Sequence, residues 1–412
     1  MLLQKHIKSN RDDYRSVKLE DSGERFSSWK LHEVDLQTHP LATCLDGSPG
    51  VYYVRAGAER TKFFLSHEGG GWCTLEAPTD YSCHMVDHCY VRSKTYYGSS
   101  AFDTPDTLSW ANRTYFSPEE DANPAFHNWT QVYLRYCDGS SFSGRRTDPV
   151  VLPEASFGAS AQVFFRGNHI LRAVAAELLA SSGLANATHV VVSGDSAGGL
   201  ATYLHAHQWH DILSDHVTAS SPLPLMATLP DTGFFHDEED TVPKGCPYSY
   251  AKAMRSIFEA TLPAEGLSSG CIKEHSDRPW ACMFAINAVR HIPMPVLMLQ
   301  PRFDTWQVEN EVQDSEPHHV NTFGTTLGRL VADALNFTVP GSGAFVDSCS
   351  HHTALDKGSW TDIVIDGTPM NVAVDAWLRS GAFDPVDRKS NLWVSHQPFP
   401  CDTCCGGGII VK

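Results

Sequence analysis

The chain has 412 residues, enough to bury a sizeable core in one large domain or two medium ones. Its 42% hydrophobic and 19% charged residues exclude a disordered chain. With 31 Lys and Arg against 48 Asp and Glu, the net charge is −17. Such a balance argues against nucleic acid or an anionic membrane as the main partner and serves solubility.

Residues 1–35 are polar and charged and read as a poorly ordered N-terminal segment. They begin MLLQKHIKSNRDDYRS, which lacks the apolar run of a signal peptide, so a further N-terminal segment is expected. No stretch is long and apolar enough to span a membrane. From Val51 the text becomes globular. TKFFLSHEGGGWC (61–73) reads as a strand entering a glycine-rich loop. Residues 80–150 show little periodicity and suggest long loops tied by disulfides, with a strand candidate in Trp129–Gly139. Gly167–Gly183 has helical apolar spacing at Ile170, Leu171, Val174, Leu178 and Leu179. ATHVVVSG (187–194) is a short buried strand, followed by a helix over 197–209. Residues 210–290 read as an insertion of short helices over the sheet. Met294–Pro301 is a buried strand, 318–335 a helix, Gly343–Thr353 a strand running into a loop, and Thr368–Gly381 the last helix. Alternating strands and helices imply one α/β domain over 36–390, its mostly parallel sheet flanked by helices, with a Cys/Gly-rich tail over 391–412.

The twelve cysteines are even in number, and Cys401 and Cys404 form the only Cys-x2-Cys pair, so a zinc site is disfavoured. Disulfides in an oxidising compartment are expected, with connectivity left open. The sequons at Asn112, Asn128, Asn186 and Asn336 point to the same secretory setting as candidate glycosylation sites. No ligand cluster for a metal or organic cofactor is visible.

Gly194-Asp195-Ser196-Ala197-Gly198 fits G-x-S-x-G between a β-branched strand and a helix. That context makes the pattern a nucleophile elbow rather than a plain tight turn. A serine needs a base, and the base an orienting acid. Asp304 follows a strand, and His351 and His352 lie in a later loop, which is the order Ser, Asp, His expected of this architecture. The glycine loop Glu68–Cys73 suits an oxyanion hole, with amides near Gly70 and Gly71 joined by that of Ala197.

EGGGWC (68–73), YCDGSSFSG (136–144), SGDSAGGLATYLH (193–205), FDTWQ (303–307) and DSCSHH (347–352) together resemble the successive motifs of the pectin acetylesterase and Notum family of serine carboxylesterases. The resemblance covers roughly residues 40–380. It implies an α/β-hydrolase-like fold, secretion, Ser196 as nucleophile and Asp304 as acid. The family pattern places the base three residues after Cys349, which selects His352; His351 is the fallback base and is otherwise expected as an exposed loop histidine. Two positions depart from the family spelling: Asp195 stands where a cysteine is usual, and Thr353 where plant members usually have another cysteine. Asp195 adds a charge beside the base.

The expected function is hydrolysis of carboxylic esters, foremost O-acetyl groups on a cell-wall or extracellular polysaccharide. The alternatives are removal of a fatty acyl group from a protein, or a non-catalytic secreted glycoprotein that keeps the fold. Trp72, Tyr81, Tyr96, Tyr97 and Trp306 are candidates to line a sugar groove. Hormone-sensitive-lipase-like esterases fit less well, because Glu68 precedes the glycines and about 125 residues separate the two motifs. Trypsin-like proteases are excluded, because they place His and Asp before the serine.

Overall fold

A computed structural model describes residues 28–73, 85–152, 161–218, 221–237, 249–356, 359–383, 391–401 and 405. Tyr81, residues 1–27 and most of 402–412 lie outside them.

The centre is a nine-stranded sheet. Its strands are β1 (Lys30–Glu33), β2 (Val51–Arg55), β3 (Glu59–His67), β4 (Trp129–Leu134), β5 (His189–Asp195), β6 (Leu225–Asp231), β7 (Leu297–Leu299), β8 (Gly343–Val346) and β9 (Leu392–Val394). The spatial order is β1-β2-β4-β3-β5-β6-β7-β8-β9. Only β2 runs against its neighbours; the pairings from β4 to β9 are parallel. This is the mostly parallel, α/β-hydrolase-like sheet expected from the sequence.

Parallel strands bury both faces, so their residues read as continuous apolar runs. Val190 and Val192 face one core, and Val191 faces the other. Helices α2 (Gly167–Ser181), α3 (Ala197–Ser214), α4 (Tyr250–Thr261) and α5 (Pro317–Leu335) contribute to the first core. Helix α6 (Met370–Trp377) contributes to the second. There, residues 108–126 also supply Leu108, Tyr115, Phe116 and Phe126, and Phe64 lies 4.4 Å from Phe126 between ring centroids. The segment read as loops therefore fills a core. It also contains α1 (Met85–Arg92).

Three further expectations change. Lys30–Glu33 and Leu392–Val394, read as terminal segments, are edge strands of the sheet. Leu225–Asp231, placed in an insertion, is a central strand. Pro222, Pro224 and Pro230 hid it, since proline inside a run argues against a central strand.

Strand order reverses between β3 and β5, the switch point at whose carboxyl edge open α/β sheets bind ligands. The register pairs His67 with Gly194, Asp195 with Asp231, and Asp231 with Leu299, so the strand ends stop level with one another. Every candidate site segment leaves from this edge.

Among the described residues four disulfides are seen: Cys44–Cys137, Cys73–Cys89, Cys271–Cys282 and Cys349–Cys405. The last spans 56 residues and anchors the loop after β8. Replacing Cys349 and Cys405 together by Ser is expected to cost about 2–4 kcal/mol. Thermal denaturation would read this as a lowered midpoint; an unchanged midpoint would refute it.

Candidate active site

Ser196 sits between β5 and α3 with φ 55 and ψ −122, a backbone conformation that L residues rarely adopt. It persists because its surroundings fix it. The Ser196 N–H donates to the Asp231 carbonyl at 2.9 Å. A Cβ on Gly194 would lie 2.4 Å from Gly198 O, and one on Gly198 would lie 2.1 Å from His67 O. Glycine is required at both places, as the elbow pattern predicts.

The three triad candidates come together. Ser196 Oγ–H donates to His352 Nε2 at 2.7 Å, and His352 Nδ1–H donates to Asp304 Oδ1 at 2.7 Å. The carboxylate is acceptor-only, which sets the imidazole tautomer. Asp304 is fully buried and caps the helical turn Thr305–Gln307, accepting from Trp306 N–H at 3.0 Å. Its other oxygen accepts from Gln307 Nε2 at 2.7 Å. The acid and base loops are joined by Thr305 N–H donating to His351 O at 3.1 Å. Burial disfavours the His352 imidazolium. The Asp304 carboxylate outweighs it, helped by Asp356 and Asp231, and raises the pKa above the usual value.

His351 was expected at the surface. It is buried, and its Nε2 lies 3.2 Å from both Asp347 oxygens. Burial opposes its charge, but Asp347 and their hydrogen bond push the pKa up to about 9. Asp347 also accepts from Cys349 N–H at 2.8 Å, so this pair stiffens the loop that carries the base.

The glycine loop is held from behind. Arg92 Nη2 donates to Gly70 O at 2.6 Å, and Tyr136 O–H donates to Gly71 O at 2.8 Å. In a trans peptide the next N–H points opposite to the carbonyl, so the Gly71 amide faces away from Arg92. Gly70 and Gly71 have φ 140 and 63, which favour glycine. Ala197 opens α3, where the first amides lack intrahelical partners. Glu68, just before the glycines, is buried against Arg135 and accepts from Tyr136 N–H at 2.8 Å. Arg135 in turn donates to Asp103 at 2.7 Å and covers the Tyr96 ring at 3.7 Å.

Of the proposed groove aromatics, Trp72 is fully buried, with its indole N–H donating to Ser141 Oγ at 2.9 Å. It is a wall and not an exposed platform, because its ring packs on Phe235, Tyr250 and Trp306. Trp306 is half-buried and lies 6.4 Å from the His352 ring at 29°. Tyr96 and Tyr97 are half-buried beside the glycine loop. Sequence reading missed Gln307, Asp231, Asp356 and the Glu68–Arg135 pair. Gln307 had a signal in its position one helical turn after Asp304; Asp231 was hidden with its strand.

A nucleophile elbow at the carboxyl edge of this sheet, facing an acid and a histidine from later loops, defines the α/β-hydrolase class. The Pectinacetylesterase family model matches residues 24–406, and the chain belongs to that family. It is 33% identical over 393 residues to pectin acetylesterase 5 of Arabidopsis thaliana, covering 88% of this chain and 82% of that one. Identity to the palmitoleoyl-protein carboxylesterase NOTUM of Drosophila melanogaster is 27% over 366 residues, covering 86% and 50%. Human NOTUM is 26% identical over 374 residues, covering 86% and 68%. The protein is a carboxylic ester hydrolase.

The His351–Asp347 pair has a stability signature. A folded pKa raised from 6.5 to about 9 gives stabilisation that is complete below about pH 6.5 and lost as pH rises through about 9. His351→Gln should cost about 3 kcal/mol at about pH 6 and clearly less at about pH 10. Urea unfolding at the two pH values checks this; an equal cost at both overturns it.

Proposed function

We propose that the protein removes O-acetyl groups from an extracellular polysaccharide by two-step acyl transfer through Ser196. The observation that carries the reading is the hydrogen-bonded chain Ser196–His352–Asp304 at the sheet's carboxyl edge. His352 takes the Ser196 proton as Oγ attacks the ester carbonyl, and Asp304 stabilises the imidazolium. Amides of Gly70, Gly71 and Ala197 receive the oxyanion. His352 then returns the proton to the leaving alcohol, and water activated by the same imidazole frees the acid.

A short acyl group is favoured by the packing next to the base. Trp72, Phe235, Tyr250 and Trp306 contact one another with centroids 4.9–6.4 Å apart and form a close-set aromatic wall on the His352 side. Phe235 lies 6.5 Å from the His352 ring. A fatty chain needs a deep apolar slot where these rings touch. The relatives named pectin acetylesterases support the same class of substrate. Secretion is supported by the four disulfides, and exposed Asn112, Asn186 and Asn336 with half-buried Asn128 suit glycosylation.

Ser196→Ala should lower turnover of an aryl acetate by at least about 10⁴-fold, with an unchanged circular dichroism spectrum. Retained hydrolysis would sink the nucleophile assignment. Across aryl esters of rising chain length, kcat/KM should be greatest for acetate. A maximum at octanoate or longer would favour the protein-deacylase alternative.

A further inference from the structure

Two carboxyl groups lie directly behind the nucleophile, and the acyl transfer above uses neither. Asp195 ends β5 and Asp231 ends β6, and they are register partners on adjacent parallel strands. Register partners point to the same face, and neighbouring strands are about 4.8 Å apart, so the two side chains run together. Asp231 is 1% exposed, and Asp195 is half-buried with its Oδ1 shut off from water. Charge on either carboxyl disfavours charge on the other.

Their surroundings differ in one decisive respect. Asp231 accepts from Ala354 N–H at 2.9 and 3.1 Å, from Thr232 Oγ–H at 3.1 Å and from Tyr115 O–H at 3.3 Å. Asp195 lies close to Gly69, whose amide favours its charged form, but its Oδ1 has no hydrogen-bond partner among the described residues. Donors stabilise the charged form, so the negative charge belongs on Asp231 and the proton on Asp195.

We propose that Asp195 and Asp231 share one proton at neutral pH. Asp231 carries the charge and positions the base loop, and loss of the Asp195 proton suppresses ester hydrolysis on the alkaline side. The proposal rests on the Ser196 reading above. Ala354, held by Asp231, is two residues beyond His352, so the Asp231 charge fixes the base relative to Ser196. A second carboxylate, on Asp195, would sit one residue before the nucleophile. It would draw on the Gly69 amide and repel the oxyanion forming beside it.

The other groups facing the pair come from four elements: Glu68 after β3, Tyr115 from the segment before β4, Tyr133 on β4, and His351 and His352 after β8. Glu68 adds negative charge, although Arg135 is its ion-pair partner. Burial first, then Asp231 and Glu68, push Asp195 up to about 8; burial pushes Asp231 up to about 7 against the pull of Ala354 N–H. The pair titrates as a unit, so the last proton leaves near the higher value.

The test is the pH dependence of kcat/KM on a soluble aryl acetate for the wild type, Asp195→Asn and Asp195→Ala, with Ser196→Ala as the blank. The wild type should fall at least about tenfold between about pH 7 and about pH 9.5, with a midpoint near about 8. Both Asp195 variants should lose that alkaline limb and keep the acid-limb midpoint. A wild type without the limb, variants that retain it, or an acid limb displaced to lower pH in Asp195→Asn would each overturn the proposal. The last outcome would mean that Asp195 is already charged beside His352. If neither variant folds, infrared spectra of the wild type decide. A protonated-carboxyl carbonyl band at about pH 6.5 that vanishes by about pH 9.5 supports the shared proton, and its absence at the lower pH overturns it. Activity surviving in Ser196→Ala would instead sink the nucleophile reading.

Discussion

The site depends on how closely the chain segments behind Ser196 approach one another. Side chains are excluded there by backbone. A Cβ on Gly69 would lie 2.4 Å from Asp195 O, and one on Gly199 would lie 2.4 Å from Asp231 O. With Gly194 and Gly198, these contacts lock the ends of β3, β5 and β6 and the start of α3 into one block. Close-packed backbone has no soft direction, so it can hold Ser196 in a conformation that costs about 1–3 kcal/mol. The strain presents the hydroxyl to His352 instead of turning it back along the strand. The level register of the strand ends then sets where every later loop must leave the sheet.

Charge is the second constraint. Asp304, Asp347, Asp356, Asp231, Asp195 and Glu68 all lie near the site, and few cations balance them. Arg135 is committed to Glu68 and Asp103, and His351 to Asp347. Ionising every acid would leave uncompensated charge in a poorly solvated region, a cost of several kcal/mol per group. The structure spreads the load instead. Asp304 is answered by His352, the side chain of Gln307 and the amide of Trp306, and Asp231 by an amide and two hydroxyls. Asp195 has the fewest donors among them.

Much of this was legible in the sequence because the chemistry is written locally. The valine run before Gly194, the glycines around Ser196 and the glycine loop after His67 each follow from a short-range steric rule. Asp304 and His352 follow from chain order. What stayed hidden was set by contacts between distant segments. Trp72 looks like a platform in isolation, but three other rings bury it. His351 looks like a spare loop residue until Asp347 is seen four positions earlier, facing it within a turn. Strand β6 was masked because its prolines obey the local rule against central strands while the sheet overrides it at Pro230, the register partner of Gly194. Edge strands β1 and β9 are too short to show a period.

The disulfides are placed for the site more than for the core. A chain of this size buries enough apolar surface to fold without staples, unlike small secreted domains. Two of the bonds close on the two loops that must hold still during acyl transfer. Cys73–Cys89 ties the end of the glycine loop to α1, the helix whose Arg92 holds Gly70 O. Cys349–Cys405 fixes the chain three residues before His352. Loops open at lower free energy than core strands, and a misplacement of about 1 Å at a reacting atom can cost about 100-fold in rate. Cross-linking these loops removes the low-energy openings that a well-packed sheet alone would leave, and so extends the rigidity of the elbow to the base and the oxyanion donors.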